Sequence, residues 1–321
     1  MTVPIVLMIF AVITSVLGPL LLGRLGWLNR APRLGLVAWQ ILSASVVLGA
    51  VLAGLSLAVP AIPWTTDLAG LIEACAMALR AEYSTPGGAT MSATGAVLAL
   101  AVIVRTGYCL IAVLLSARRA RRRQLEALLM VAQRHPGADA LVVDHPSAAA
   151  YCLPGRHRAV VFTTTALDAL DEDQFAAVLA HERAHLRGRH HLVLGAALAL
   201  ERAFPRVRAF RVAHMELIRL VEMLADDSAV RSTSRLTVAT ALVRLAERTV
   251  VPAPALAAGG DTALFRVRRL LAPPDPLGPA RTAAAALAAA ALMALPLLVV
   301  AVPAAMASGQ NPCPVTTYQQ L

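Results

Sequence analysis

Four stretches of this sequence, residues 3–22, 36–59, 96–115 and 283–305, are apolar and nearly free of charge. Each is long enough to cross the hydrocarbon of a bilayer as a helix, which takes about 20 residues. No ordinary soluble fold accommodates four such runs, so they limit the chain to a multi-pass membrane protein. The whole composition agrees: 58% of the 321 residues are hydrophobic, 15% are charged, and mean hydropathy is +0.67. The first stretch has no basic residue ahead of it and runs too long for the apolar core of a cleaved signal, so it is read as a retained span.

Charge then sets the orientation, because short cytoplasmic loops hold arginine and lysine. Arg24, Arg30 and Arg33 follow the first span, and Arg118, Arg119, Arg121, Arg122 and Arg123 follow the third. Residues 60–95 instead carry Asp67, Glu73 and Glu82 against Arg80. This predicts a bacterial-type plasma-membrane protein with residues 116–282 in the cytoplasm, an extracytoplasmic loop over 60–95, and both termini outside, the tail being 306–321. The basic run is a topology signal beside anionic lipid headgroups, and no direct nucleic-acid binding is expected. Arg105, mid-span, is a costly charge and a functional candidate.

All 29 residues of the Lys+Arg total are arginine. Without lysine there is no phosphate-loop lysine, no Schiff-base chemistry and no Ser-Lys protease. Cys75, Cys109, Cys152 and Cys313 are too few and scattered for a disulfide framework or a cysteine zinc site. Cys75 and Cys313 share the outer side of this topology, where a disulfide between them is chemically allowed.

All eight histidines fall within the cytoplasmic segment. The segment reads as a basic helix over 118–134, then short strands, then helices. Leu141 to Val143, Ala149 to Leu153 and Ala159 to Thr163 are brief apolar runs separated by Pro-containing turns, and they predict a small antiparallel sheet. Asp171 followed by Gln174 is a capping box that opens a helix to Arg187. Further helical patterns cover about 206–231 and 236–249, and residues 252–260 read as a loop rich in Ala, Pro and Gly.

The capped helix carries His181-Glu182-Arg183-Ala184-His185. Histidines four apart share a helix face and can bind one Zn2+, and Glu182 beside them can take a proton from water. A third ligand comes from one of two places. Residues 181–191 satisfy HExxHxxGxxH, with Gly188 as a turn and His191 as the ligand. Alternatively Glu222, in Glu222-Met223-Leu224-Ala225-Asp226, supplies a carboxylate from a second helix, with Asp226 one turn on to orient an imidazole. Glu222 is favoured, because an apolar helical run from Leu192 to Leu200 follows His191 directly and Gly188 need not stop the helix. His214 or an arginine is left as the oxyanion helper, while His135, His145 and His157 read as surface residues.

The membrane spans, Cys152-Leu153-Pro154-Gly155, the strand Val160, Val161, Phe162, Thr163, the HExxH helix and the Glu222/Asp226 pair together resemble the BlaR/MecR-type membrane zinc metallopeptidases, relatives of HtpX and the CAAX prenyl proteases. The resemblance implies four transmembrane helices and a cytoplasmic α+β gluzincin-like domain. It implies zinc ligands His181, His185 and Glu222, general acid/base Glu182, supporting Asp226, and a strand at Val160 to Thr163 that pairs with a peptide substrate. It also implies an endopeptidase whose target is a cytosolic or membrane-proximal protein such as a winged-helix repressor in a signalling pathway. Three features depart from the pattern: Arg183 where relatives carry an apolar residue, His190 where they often carry a polar or acidic one, and no penicillin-binding sensor domain after the fourth span. The competing expectation is a non-catalytic membrane receptor or scaffold with a metal-stabilised cytoplasmic domain.

Overall fold

The structure, a computed structural model, describes residues 2–59, 87–155, 158–249, 253–273 and 275–309. Cys75, Cys313, His157 and residues 60–86 of the expected 60–95 loop lie outside the described residues, and residues 88–95 of it are helical. The chain divides into two units. One comprises residues 1–22, 40–107 and 284–321, and the other residues 23–39 and 108–283.

Four helices are long and apolar enough to cross a membrane: α1 (Thr2–Gly23), α2 (Pro32–Ala58), α3 (Gly88–Val131) and α10 (Pro279–Gly309). In the first unit they expose large apolar side chains such as Ile5, Val12, Leu100 and Leu287, as a surface solvated by lipid tails does. Helix contact there depends on small residues. A Cβ on Gly95 would stand 2.6 Å from the Gly54 carbonyl oxygen and 2.7 Å from the Ala58 nitrogen, so α2 and α3 meet backbone to backbone. Ser92 Oγ donates to the Ala58 carbonyl at 2.6 Å beside that contact. Helix α3 has 44 residues and continues without a break through the basic run, where a separate helix to Arg134 is expected from the sequence. The last residues of that run, Gln133–Arg134, form strand β1 instead. Arg105 lies on an exposed face of α3.

The second unit is built on a four-stranded sheet of order β1-β2-β4-β3, with β2 at Leu141–Val143, β3 at Ala150–Leu153 and β4 at Ala159–Thr163. β1 with β2 and β3 with β4 are antiparallel, but β2 runs parallel to β4. The sheet is therefore mixed rather than antiparallel throughout, because β3 turns back between β2 and β4 and takes the outer position. β4 is the most buried strand, as its β-branched run requires. Thr163 ends it and caps the short helix α4 (Thr164–Ala169), accepting from the Ala166 nitrogen.

Five helices follow: α5 (Glu172–Arg187), α6 (His190–Ala203), α7 (Arg208–Ala229), α8 (Arg235–Glu247) and α9 (Ala253–Leu271). The capping box of α5 forms as its sequence dictates, with Gln174 N donating to Asp171 Oδ1 at 2.8 Å and Asp171 N to Gln174 Oε1 at 3.3 Å. Val160, Phe162, Val178, Leu179 and Leu186 join the sheet to α5 in one core, with Phe175 packed against Phe162 at 4.8 Å between ring centroids. One expectation is corrected here. The Ala/Pro/Gly-rich stretch after residue 252 is helical, opening α9. The HExxH helix ends at Arg187 as its pattern predicts, with Gly188 as C-cap and Arg189 in a left-handed conformation (φ 49°) before α6 begins.

Candidate metal centre

Histidines at i and i+4 project from one side of α5, and that side packs against α7. There Nε2 of His181 and Nε2 of His185 lie 3.1 Å apart. Glu222, from the middle of α7, brings Oε2 to 3.5 Å from His181 Nε2 and Oε1 to 3.5 Å from His185 Nε2. One donor atom from each residue falls within 4.8 Å of the others, which makes these three a candidate metal site. A tetrahedral zinc with ligands at 2.0–2.1 Å separates its donors by about 3.3 Å, so two imidazoles and a carboxylate at these spacings suit a zinc site.

Asp226, one turn beyond Glu222 and only 1% exposed, places Oδ1 3.0 Å from Nδ1 of His181, the ring nitrogen turned away from the cluster. Arg266 reaches across from α9 and grips Asp226 with two hydrogen bonds, Nε to Oδ2 at 2.8 Å and an Nη to Oδ1 at 2.6 Å, while its other Nη lies 3.0 Å from Glu222. His185 has its own outer neighbour, with its Nδ1 3.1 Å from Nδ1 of His190. These groups open onto a cleft of about 440 Å³ whose walls include Tyr151, Cys152, His181, Glu182, Glu222 and Arg266.

Burial opposes every charge here, and the pattern of what survives is informative. Burial raises the Glu182 carboxyl to about 7, with His181 opposing and Glu222 reinforcing that shift. It raises the neighbouring Cys152 thiol to about 12, with Glu182 adding to it. Burial would raise Glu222 as well, but the bond to His181 and the Arg266 charge overcome it and hold that carboxyl at about 2. Asp226 is held at about 2 against burial by Arg266 first and His181 second. Burial would likewise depress His181, yet Asp226 and Glu222 lift it to about 9, whereas His185, mainly desolvated, falls to about 4. A pocket that so favours a proton on His181 favours a cation among its carboxylates. Glu222 and Asp226, both held ionised, outnumber the single Arg266 cation, which suits a positive ion at the cluster.

The structure thus gathers His181, Glu182, His185, Glu222 and Asp226 at one place. It does not bring His191 there: that ring lies on α6, outside both the ligand cluster and the lining of the cleft, and burial, then the charges of Arg121, Arg189 and Arg158, depress its pKa. The HExxHxxGxxH match is accidental in the sense that the helix break at Gly188 and Arg189 turns His190, not His191, toward the cluster. Val160, Val161, Phe162 and Thr163 are also displaced from their expected role. β4 is paired on both sides, by β2 and β3, so its backbone has no edge to offer a substrate, and the strand at the cleft is β3. His214 is bound to Glu201 at 2.7 Å and is not among the residues lining the cleft. Arg183 is exposed, so its charge is solvated. Sequence reasoning missed Arg266, Cys152 and His190. The Cys152-Leu153-Pro154-Gly155 stretch was a usable signal for the second, but nothing local marks Arg266 among so many arginines.

No curated protein and no solved structure matches the chain. Residues 115–210 match the family model of Peptidase family M48, a stretch that includes the HExxH helix and stops before Glu222. With that match to part of the chain, the His181/His185/Glu222 cluster and four helices long and apolar enough to cross a membrane, the chain is a multi-pass membrane zinc metallopeptidase whose residues 115–210 are similar to Peptidase family M48.

Proposed function

We propose that this peptidase is an endopeptidase cutting a protein at the cytoplasmic face of a bacterial-type plasma membrane, with His181, His185 and Glu222 as zinc ligands, Glu182 as proton carrier and Asp226 as the support of His181. The observation that carries the reading is Glu182, adjacent in sequence to a ligand, lining the same cleft, and held near neutrality by burial. Zinc in this site supplies a Lewis acid for the scissile carbonyl and makes a water more acidic. Glu182 takes the proton that the attacking water gives up and returns it to the departing amine, a transfer that suits a carboxyl near pH 7. A purely structural metal site has no use for such a group, which sets the receptor or scaffold reading second.

The outer edge of β3 is the substrate's backbone partner in this reading, since among the described residues no strand pairs with it and Tyr151 and Cys152 line the cleft. The cytoplasmic orientation, with both termini outside, rests on the arginines at residues 24–33 and 118–123. A winged-helix repressor in a signalling pathway is the proposed target, by analogy with the signalling proteins the sequence resembles. The test is Glu182→Gln in the full chain. It should keep zinc, lose cleavage by 100-fold or more, about the scale of a lost general base, and retain bound substrate for identification by mass spectrometry. Undiminished cleavage of a captured protein by this variant would overturn the reading.

A further inference from the structure

Gly188, Arg189 and His190 form a feature that metal ligation and proton transfer leave unexplained. Gly188 closes α5 with φ −74° and ψ −5°, a conformation open to any residue, while the left-handed position that favours glycine belongs to Arg189 at φ 49°. Arg189 is the only non-glycine residue with positive φ among those described. Glycine therefore sits one place away from where backbone strain would ask for it. Its reason is space: a Cβ on Gly188 would fall 2.3 Å from Nε2 and 2.6 Å from Cδ2 of His190. The imidazole of His190 occupies the room that a side chain at 188 would take, is 8% exposed, and stands edge-on to His185 with an interplanar angle of 87°.

Protonation logic gives the contact its direction. Nε2 of His185 points into the cluster toward His181 and Glu222, so it must present a lone pair to bind a metal. The ring proton then sits on Nδ1, and the atom 3.1 Å away, Nδ1 of His190, must accept it. We propose that His190 is a positioning residue: its Nδ1 accepts from Nδ1–H of His185, fixing that ring's tautomer and aim, and Gly188 with the left-handed Arg189 exists to seat it. This rests on His185 being a zinc ligand, as proposed above. His190 then does for His185 what Asp226 does for His181, with a neutral acceptor in place of a carboxylate.

The experiment measures zinc affinity of the purified full chain by chelator competition, alongside the absorption spectrum of the cobalt-loaded protein. His190→Ala should weaken zinc binding 10- to 100-fold, the usual effect of losing such a partner. His190→Asn, whose Oδ1 stands the same number of bonds from the backbone as Nδ1, should stay within about threefold of the parent, a residual well below that loss. Gly188→Ala should match His190→Ala, because it evicts the ring, and should add nothing in the double variant. The cobalt spectrum should change in His190→Ala and not in His190→Asn. Equal affinities in parent and His190→Ala, or additive losses in the double variant, would overturn the inference while leaving the zinc site intact. A parent protein that binds no zinc would instead overturn the reading on which it rests.

Discussion

The two sides of the metal centre solve one problem with different chemistry. On the His181 side, the outer ring nitrogen meets a carboxylate that is almost wholly buried and gripped by a guanidinium, with parts drawn from α5, α7 and α9. On the His185 side, the partner is an imidazole five residues away in sequence, delivered by one helix end and one left-handed residue. The first is long-range and charged, the second local and neutral. A buried charged pair costs a great deal when broken singly, whereas a neutral contact costs mainly its own bond. Damage on the two sides should therefore differ in kind: the His181 side carries fold stability as well as metal affinity, and the His185 side affinity alone.

The largest effect expected at the centre is on neither outer side. Glu222→Ala removes the carboxylate facing both imidazoles, and the purified protein should hold no stoichiometric zinc by elemental analysis. Next comes Arg266→Ala, which leaves Asp226 and Glu222 buried without their cation. It should destabilise the chain by about 3–5 kcal/mol, read as a large drop in melting temperature in detergent, with Arg266→Lys falling between because it cannot make the two parallel bonds. A melting temperature unchanged in Arg266→Ala would erase the contrast between the two sides. Asp226→Asn keeps the shape and removes the charge, and should cost 10- to 100-fold in zinc affinity. The smallest effect belongs to His191→Ala, whose zinc affinity should equal the parent's. A loss there would restore the HExxHxxGxxH ligand set.

How much of this was legible beforehand divides along the same line. The HExxH helix, its capping box and the Glu222/Asp226 turn all lie within short windows whose spacing carries the chemistry, so reading them needs no fold. Arg266 lies 40 residues from Asp226 on a helix whose opening composition argues for a loop, and only tertiary packing selects it. In the sequence Gly188 is only a residue that need not stop a helix, and its meaning depends on a ring two residues later whose direction follows from a left-handed φ. The family resemblance implies β4 as the substrate's partner, but strand character does not say whether an edge is free. The extra length of α3 was hidden for a related reason: hydropathy marks where a helix is in lipid, not where it ends.

The shortness of β3 also matters. Four residues, Ala150–Leu153, extend over about 13 Å and can hydrogen-bond only a few positions of an incoming chain. So brief a register holds little information about sequence, and backbone bonds ignore side chains altogether. If this edge holds the substrate as proposed, backbone register alone selects little, and selectivity falls to the side chains of the cleft and to supply. A bilayer confines its occupants to two dimensions, so on that reading a chain anchored in the same membrane would meet the enzyme far more often than one free in solution.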